Sequence, residues 1–324
     1  MKVVVDDKIP FIQGQVERLA DEVVYLPGAA IGPADVRDAD ALLVRTRTQC
    51  NAQLFKDSRV RFVATATIGY DHLDTHYLDE AGIQWTNCPG CNATSVAQYV
   101  RNALMEAEKA GLVSLSQATL GIVGYGHVGR AVGQALRPYV KRIVVNDPPL
   151  SILQATLQDI AASCDIITLH TPLTTDGLYP TWHLVDGPLL QSLQRCPVII
   201  NAARGGVVDE EALLQALDKG LVRQAIIDTW EGEPAINPTL LRQAFIATPH
   251  IAGYSADGKA NATQMTLEAL AQWMGREIQF HIQPPLASDS RTGLRYSPLE
   301  DSEKLKADPA GFELQRGKYP LRRE

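Results

Sequence analysis

The sequence is poor in the features that mark disulfide scaffolds and membrane proteins. Its 324 residues include five cysteines, and no apolar run approaches the roughly 20 residues that span a bilayer. An odd number of cysteines without a secretory segment is typical of a reducing compartment, and the apolar run Val3–Val5 is too short for such a segment. We therefore expect a cytoplasmic protein that contacts no membrane.

Positive charge is also scarce. The chain has 30 Lys and Arg against 37 Asp and Glu, which gives a formal net charge of −7. General nucleic-acid binding needs a basic face, so nucleic acid is excluded as a partner. An anionic substrate would have to be bound by locally placed arginines. The histidines show no metal-ligand spacing, so we expect no metal.

The clearest motif is a glycine-rich turn between a strand and a helix. The apolar run Leu120–Val123 predicts a buried strand, and the apolar positions after it follow helical spacing. Gly124 permits a tight turn, Gly126 lets the backbone approach a pyrophosphate, and Gly129 lets the helix pack closely on the strand. The free N–H groups of the helix would face the phosphates. The residues of this turn expected to bind the cofactor are Gly124, Gly126, His127, Val128 and Gly129.

Three glycines alone can simply form a turn, but here the surrounding unit is complete. A second apolar strand, Arg142–Val145, ends just before Asp147, which lies 23 positions after Gly124. An acidic residue at about that spacing typically takes the ribose hydroxyls of NAD. Because a carboxylate would repel a 2′-phosphate, the sequence predicts NAD rather than NADP.

Strands and helices alternate along most of the chain, which predicts parallel sheets with helices on both faces. The other predicted strands are Lys2–Val5, Val23–Leu26, Ala41–Val44, Phe62–Ala66, Ile83–Thr86, Ile166–Leu169, Val198–Ile200, Ala225–Ile227 and Phe245–Ala247. The other predicted helices are Phe11–Leu19, Val96–Lys109 (capped by Asn92), Asp209–Leu217 and Ser255–Met274.

Three polar residues follow strands of the dinucleotide half: Arg204, Glu233 and His250. An imidazole can take the hydroxyl proton of a hydroxy acid, and a carboxylate on its other nitrogen fixes the tautomer. A guanidinium can hold the substrate carboxylate and polarise the forming carbonyl. Taken singly, each residue could be a loop histidine, a helix-start acid or a surface ion pair. Their shared position at strand ends favours the catalytic interpretation.

The Cys88-Pro89-Gly90-Cys91 segment invites a redox interpretation. It lies in a loop without the thioredoxin-like βαβ context, so we interpret these residues as two ordinary thiols.

Several motifs together resemble the D-2-hydroxyacid dehydrogenase family. They are residues 121–130, Asp147, 170–172, 201–205 and 249–250, within a match that covers roughly residues 1–283. The resemblance implies a flavodoxin-like substrate domain and a Rossmann NAD domain, with Arg204, Glu233 and His250 as catalytic residues and His250 as the acid/base. It also implies that further residues line the NAD site: Asp147, Thr171, Ala203, Arg204, Gly205, Asp228 and Gly253.

Within this family, residues 44–46, 64–72, 89–93, 230–234, 250–259 and 319–324 resemble the branch that oxidises 4-phospho-D-erythronate to 3-hydroxy-2-oxo-4-phosphooxybutanoate in pyridoxal 5′-phosphate biosynthesis. The resemblance implies that Thr46 and Thr67 contact this substrate, with Tyr254 close by. Arg45 is a candidate for its phosphate, with Arg47 and Lys259 as further candidates. The alternatives are another D-2-hydroxyacid dehydrogenase, of the phosphoglycerate or glyoxylate type, and a non-catalytic NAD-sensing protein of the corepressor type.

The resemblance also predicts a discontinuous domain layout. Residues 1–91 and 259–283 would form the substrate domain, residues 92–258 the NAD domain, and residues 284–324 a shortened C-terminal, dimerisation-like segment. Few apolar residues follow Gln283, so this segment is expected to bury little. Because the segment is short, the homodimer typical of this branch is expected only in a weakened form.

Overall fold

The computed structural model describes residues 1–150, 154–286 and 292–324 and forms two compact units. The first unit combines Met1–Asn92 with Ser255–Leu286, and the second combines Ala93–Tyr254 with the C-terminal segment. The chain therefore leaves the first unit after Asn92, returns to it at Ser255 and leaves it again after Leu286. The C-terminal segment, residues 292–324, belongs to the second unit.

The first unit is built on a five-stranded, all-parallel sheet in the order β2-β1-β3-β4-β5. Strands β3 and β4 are buried at every position, as expected for a sheet covered on both faces. The strands are β1 Lys2–Asp6, β2 Glu22–Leu26, β3 Ala41–Val44, β4 Phe62–Thr65 and β5 Gln84–Thr86. The helices are α1 Pro33–Val36, α2 Thr75–Glu80 and α9 Ala256–Trp273, with 3-10 turns at Val16–Arg18 and Gly28–Ala30.

The second unit contains a six-stranded parallel sheet in the order β11-β10-β9-β8-β6-β7. Its strands are β6 Thr119–Val123, β7 Arg142–Asn146, β8 Ile166–Leu169, β9 Val198–Asn201, β10 Gln224–Ile227 and β11 Ile246–Ala247. Its helices are α3 Ala93–Lys109, α4 His127–Leu136, α5 Leu157–Ser163, α6 Gly187–Gln191, α7 Glu210–Asp218, α8 Pro238–Gln243, α10 Pro298–Ala307 and α11 Phe312–Gly317. Short 3-10 turns lie at Leu115–Gln117, Gly293–Arg295 and Pro309–Gly311.

The strand order of the second sheet changes direction at β6. Strand β6 pairs with β7 on one side and with β8 on the other, so the chain runs outward in both directions from this point. In open parallel sheets, ligands bind beyond the carboxyl ends of the strands at such a switch point. The glycine-rich turn follows β6 directly, which places it at this position.

The predicted two-domain, parallel α/β architecture is confirmed, but the predicted helix Phe11–Leu19 is wrong. Only Val16–Arg18 forms a helical turn there. Phe11 has φ +62° and Gly14 has φ +78°, and a chain that enters the left-handed region twice cannot continue a right-handed helix. The regularly spaced apolar residues Ile12, Val16 and Leu19 are buried, but they belong mainly to a loop.

The expectation that the C-terminal segment buries little is also wrong for residues 292–324. Tyr296, Leu305 and Phe312 are each at most 2% exposed. Helix α10 packs on α3 and β11, and the Ser302 hydroxyl accepts a hydrogen bond from the Ala247 N–H at 2.9 Å. The segment has few apolar residues, but three of them are almost fully buried, as are the polar side chains of Asp301, Ser302 and Arg322, so composition alone underestimated its burial.

One buried guanidinium anchors this segment. Arg322 is fully buried, and its five N–H donors reach five acceptors. They are the Gln98 side-chain oxygen at 2.8 Å and the carbonyls of Ser95 (3.1 Å), Ile251 (3.0 Å), Tyr254 (3.0 Å) and Ala252. The guanidinium also lies 4.6 Å from the centre of the Tyr296 ring, so it is both hydrogen-bonded and stacked.

Across the described part of the chain, no helix combines the length and the apolar character that crossing a membrane requires.

Replacing Arg322 by Met should lower the free energy of unfolding by about 3–5 kcal/mol, because buried acceptors lose their donors. Urea denaturation followed by tryptophan fluorescence measures the change. Lys318→Met, at an exposed position of the same segment, is the matched control and should change stability by less than about 0.5 kcal/mol. A loss below about 1 kcal/mol for Arg322→Met would show that water replaces the guanidinium.

Candidate active site

The residues predicted to bind cofactor or to act in catalysis in the second unit follow the carboxyl ends of its six strands. Because all six strands are parallel, these ends lie along one edge of the sheet. The predicted residues follow β6 (Gly124, Gly126, His127, Val128, Gly129), β7 (Asp147), β8 (Thr171), β9 (Ala203, Arg204, Gly205), β10 (Asp228, Glu233) and β11 (His250, Gly253, Tyr254).

At two of the three glycines, neighbouring backbone lies too close to leave room for a side chain. Gly124 has φ +88°, and a Cβ there would lie 2.6 Å from the backbone carbonyl of His170. A Cβ on Gly129 would lie 2.0 Å from the Gly124 carbonyl oxygen. The turn is therefore packed against the end of β8 and against its own helix, and no larger residue fits without displacing backbone.

The same turn offers space and unpaired donors to a dinucleotide. A Cβ on Gly126 would meet nothing within 4 Å, and helix α4 begins without a side-chain cap. Thr171 Oγ1 is buried without a hydrogen-bond partner among the described residues. The Asp147 carboxylate, at the end of β7, accepts a hydrogen bond from the Tyr125 N–H at 2.6 Å. These features fit a pyrophosphate at the helix N-terminus and a ribose beside Asp147.

The structure brings His250 and Glu233, the residues predicted to act as an acid–base pair, to hydrogen-bond distance. His250 Nδ1 lies 2.9 Å from Glu233 Oε2, and the two side chains are 29% and 18% exposed. A carboxylate only accepts hydrogen bonds, so Nδ1 carries the proton and Nε2 is the nitrogen left to accept one. The pKa of Glu233 is held below its ordinary value: burial opposes this, but the hydrogen bond and charge of His250, the Trp230 N–H and Arg316 together outweigh it.

The loop that carries His250 is held by the buried carboxylate of Asp228. Asp228 is 1% exposed, and its oxygens accept hydrogen bonds from the Thr248 hydroxyl (2.6 Å) and from the N–H groups of Ile251 (2.8 Å) and Ala252 (3.0 Å). Burial raises the pKa of Asp228, against the opposing effects of His250 and these hydrogen bonds. His250 itself has φ +55°, a strained conformation that this network stabilises.

Arg204 lies on a loop packed against the segment that carries Glu233. A Cβ on the neighbouring Gly205 would lie 1.8 Å from the Trp230 carbonyl oxygen. The Asn201 side-chain amide joins the two segments by donating to the carbonyls of Arg204 (3.0 Å) and Thr229 (3.3 Å). The half-buried Arg204 side chain donates to the Ala203 carbonyl at 2.8 Å.

The predicted substrate residues Arg45, Thr46 and Thr67 belong to the first unit. Strands β3 and β4 pair with Val44 opposite Thr65, so Thr46 and Thr67 follow neighbouring strand ends. Thr67 Oγ1 donates to the Gly69 carbonyl at 2.8 Å, which fixes its rotamer.

Lys259 belongs to the same unit as Arg45, at the first turns of α9. Burial and the nearby charge of Arg45 lower the pKa of Lys259 to about 8. Two cations placed this close together form an electrostatic receptor for an anion, because an anion beside them offsets their repulsion.

The side-chain and backbone groups that support these residues have no signal in the sequence. The Trp230 N–H donates to Glu233 Oε1 at 3.0 Å, and the Tyr99 hydroxyl lies 2.7 Å from Thr248 Oγ1. Backbone donors have no residue signature, and Tyr99 lies 149 positions from Thr248, so neither contact had a local signal.

The Cys88 and Cys91 thiols are buried, which agrees with the interpretation as ordinary thiols. Burial raises the pKa of Cys88 to about 11, so it is not an activated thiolate. Within the described ranges, no group of three or more His, Cys, Asp or Glu side chains is arranged to hold a metal ion.

Comparison with known proteins agrees with this geometry. Residues 92–252 match the family model described as "D-isomer specific 2-hydroxyacid dehydrogenase, NAD binding domain". The whole chain is 47% identical to the erythronate-4-phosphate dehydrogenase of Bacteroides thetaiotaomicron, of which the match covers 97%. The chain belongs to the D-2-hydroxyacid dehydrogenase family. It is an NAD-dependent oxidoreductase, and NAD is its cofactor.

Two further proteins are similar to this dehydrogenase at lower sequence identity. The chain is 39% identical, over its full length, to the erythronate-4-phosphate dehydrogenase of Escherichia coli O157:H7, of which the match covers 87%. Its fold is similar to that of the NAD⁺-bound 3-phosphoglycerate dehydrogenase of Entamoeba histolytica, with a TM-score of 0.71 and 24% identity over 88% of this chain and 99% of that one. The second similarity concerns the fold alone.

Two glycine substitutions should distinguish the contribution of the turn to stability from its contribution to NADH binding. Gly126→Ala adds a methyl group to open space, so we expect unchanged stability but an NADH dissociation constant raised at least about tenfold. Gly129→Ala forces backbone apart and should cost about 2 kcal/mol of stability.

Fluorescence titration with NADH and urea denaturation measure the two effects. Gly187→Ala is the control, because Gly187 also lies at a helix N-terminus and its Cβ would meet only Ala212 Cβ, at 3.9 Å. Unchanged NADH affinity in Gly126→Ala would contradict the placement of the pyrophosphate.

Proposed function

We propose that this dehydrogenase oxidises 4-phospho-D-erythronate to 3-hydroxy-2-oxo-4-phosphooxybutanoate, a step of pyridoxal 5′-phosphate biosynthesis. The observation that carries the proposal is the full-length, 47% identity to a relative named for this activity. The His250–Glu233 pair supports it, because the oxidation of a secondary alcohol needs a base of this kind.

Each of the three proposed catalytic residues has a distinct role in the reaction. His250 Nε2 accepts the proton of the substrate 2-hydroxyl, and Glu233 stabilises the imidazolium that forms. Arg204 binds the substrate carboxylate and polarises the developing carbonyl. NAD supplies the acceptor for the hydride that leaves C2. His250 has a positive φ in this loop. The hydrogen bonds that Asp228 accepts from the loop hold the imidazole in place, so that it need not rearrange during the step.

The substrate phosphate is assigned to Arg45 and Lys259. Both are cations of the first unit; burial lowers the pKa of Lys259, and the charge of Arg45 lowers it further. A phosphate dianion beside them would relieve their repulsion, so binding energy is available for a phosphorylated substrate in a protein of net charge −7. We assign Thr46, Thr67 and Tyr254 to the hydroxyl and carboxylate groups of the same substrate.

We also propose a cytoplasmic location, supported by five cysteines that are all in the thiol form. A homodimer stays a prediction of the family resemblance, to be measured by light scattering.

The proposal is tested by NADH formation from NAD with 4-phospho-D-erythronate, beside 3-phospho-D-glycerate and D-lactate. The reverse reaction is measured as well, or a trap for the 2-oxo acid is added, so that an unfavourable equilibrium would not conceal turnover. We expect selective turnover of the erythronate. Faster turnover of another acid would keep the mechanism and overturn the substrate, while NADH binding without any turnover would favour the NAD-sensing alternative.

His250→Gln should lower kcat about a thousandfold, because the proton acceptor is lost while the loop and its hydrogen bonds to Asp228 remain. NADH affinity, measured by fluorescence titration, should stay unchanged. His281→Gln, at an exposed position of the first unit, is the matched control and should retain full activity. Retention of turnover in His250→Gln would remove His250 from its proposed role.

Lys259 gives the substrate site a pH dependence. Because its pKa is about 8, Lys259 is protonated below that pH, and KM for the phosphorylated substrate should rise as the pH increases past 8. Lys259→Met should raise KM about tenfold already at pH 7, equal to about 1.4 kcal/mol.

Lys259→Arg is the control, since an arginine keeps its charge and should give a KM that does not rise between pH 7 and pH 9. Steady-state kinetics across this range decide the assignment. A rise of KM that persists in Lys259→Arg would assign the titration to another group.

A further inference from the structure

The C-terminal segment places a guanidinium against the acid–base pair of the same chain. Arg316 lies in α11, and its Nη1 is 3.5 Å from Glu233 Oε2, the oxygen that also binds His250 Nδ1. Arg316 Nε donates to the Tyr254 hydroxyl at 3.3 Å. Only 28% of the Arg316 side chain is exposed, so solvent screens this charge less than it would a surface arginine.

Glu233 therefore interacts with two hydrogen-bond donors and with a further cation. The Trp230 N–H binds Oε1 at 3.0 Å, and Oε2 lies between His250 Nδ1 at 2.9 Å and Arg316 Nη1 at 3.5 Å. A second cation on this oxygen stabilises the carboxylate anion. It also lowers the electrostatic benefit of protonating the imidazole, because the carboxylate's charge is already partly neutralised.

We propose that Arg316 is a positioning residue for the dehydrogenase reaction, which acts through Glu233 to hold His250 in the neutral, proton-accepting form at neutral pH. The inference rests on the proposed role of His250 as the base. It gives the C-terminal segment a part in the chemistry of its own chain.

The positive charge of Arg316 matters because the other charged groups around the His250–Glu233 pair are mostly acidic. Asp228 faces His250 from the end of β10, and Glu210, at the start of α7, faces Glu233. Glu231 adds a further negative charge next to Glu210, and the Tyr254 hydroxyl lies against Arg316. All three acids favour a protonated imidazole, so Arg316 supplies an opposing charge where acids are concentrated.

A purely structural role for Arg316 is the alternative to be tested. The segment already has other anchors: Arg322 and Phe312 are at most 1% exposed, and Leu305 is fully buried. Arg316 also pairs with Glu313 at 3.5 Å, one turn earlier in the same short helix. If Arg316 only secured α11, its loss would reduce stability or activity without a change in their pH dependence.

The experiment is the pH profile of kcat/KM for oxidation, measured for Arg316→Gln, Arg316→Lys and Lys318→Gln. Removing the cation should favour the protonated imidazole, so the acidic limb of the Arg316→Gln profile should move to higher pH by about half a unit to one unit. Arg316→Lys should restore most of this shift. Lys318→Gln, which removes the same charge from an exposed neighbouring position, should leave the limb in place.

Glu210 is the other group near Glu233 that titrates in this range, because burial raises its pKa to about 7. The Glu210→Gln variant therefore accompanies the series. If the acidic limb belonged to Glu210, it would disappear in Glu210→Gln and would not respond to Arg316, which would overturn the proposal.

An NMR titration of the His250 imidazole in the NADH-bound protein gives a readout independent of turnover. The resonance is assigned by its loss in His250→Gln, and its midpoint should rise in Arg316→Gln by the same amount as the kinetic limb. An unchanged midpoint in a folded variant would overturn the proposal for Arg316. If no hydroxy acid were turned over, the proposed function would fail, and the NMR midpoint would still decide the role of Arg316.

Discussion

The arrangement of this site depends on one buried carboxylate. Asp228 accepts hydrogen bonds from the N–H groups of Ile251 and Ala252 and so fixes the loop in which His250 takes a left-handed conformation. In this loop the imidazole of His250 lies 2.9 Å from Glu233. A carboxylate buried this deeply is costly in free energy, and the hydrogen bonds it accepts offset that cost while they fix the loop that carries the imidazole.

The same loop is held from its other side by an opposite charge. Its N–H groups are bound by Asp228, and its carbonyls at Ile251, Ala252 and Tyr254 are bound by Arg322. Both hydrogen-bonding faces of the backbone are thus satisfied by ionised side chains rather than by a neighbouring strand. A loop can in this way be as well fixed as a sheet while leaving its imidazole partly exposed for chemistry.

The sequence predicted those parts of the fold that depend on local pattern. Apolar runs gave the parallel strands within one or two residues, and the glycine spacing placed the turn at the switch point between β6 and β8. Strand-end positions also predicted that Glu233 and His250 would belong to one site. The helix predicted over Phe11–Leu19 failed because periodicity does not report a positive φ. Arg322 could not be predicted, because its partners lie about 70 or more than 220 positions earlier in the chain.

The position of Arg322 also has a consequence for the order in which the protein is made. The loop of His250 leaves the ribosome about 70 residues before the guanidinium that binds its carbonyls. Every strand of both sheets has also been synthesised by then, so the two sheets can form first. The loop that carries His250 can receive the hydrogen bonds of Arg322 only after residue 322 has been synthesised. Formation of the two sheets can therefore precede the fixing of this loop by Arg322 during biosynthesis.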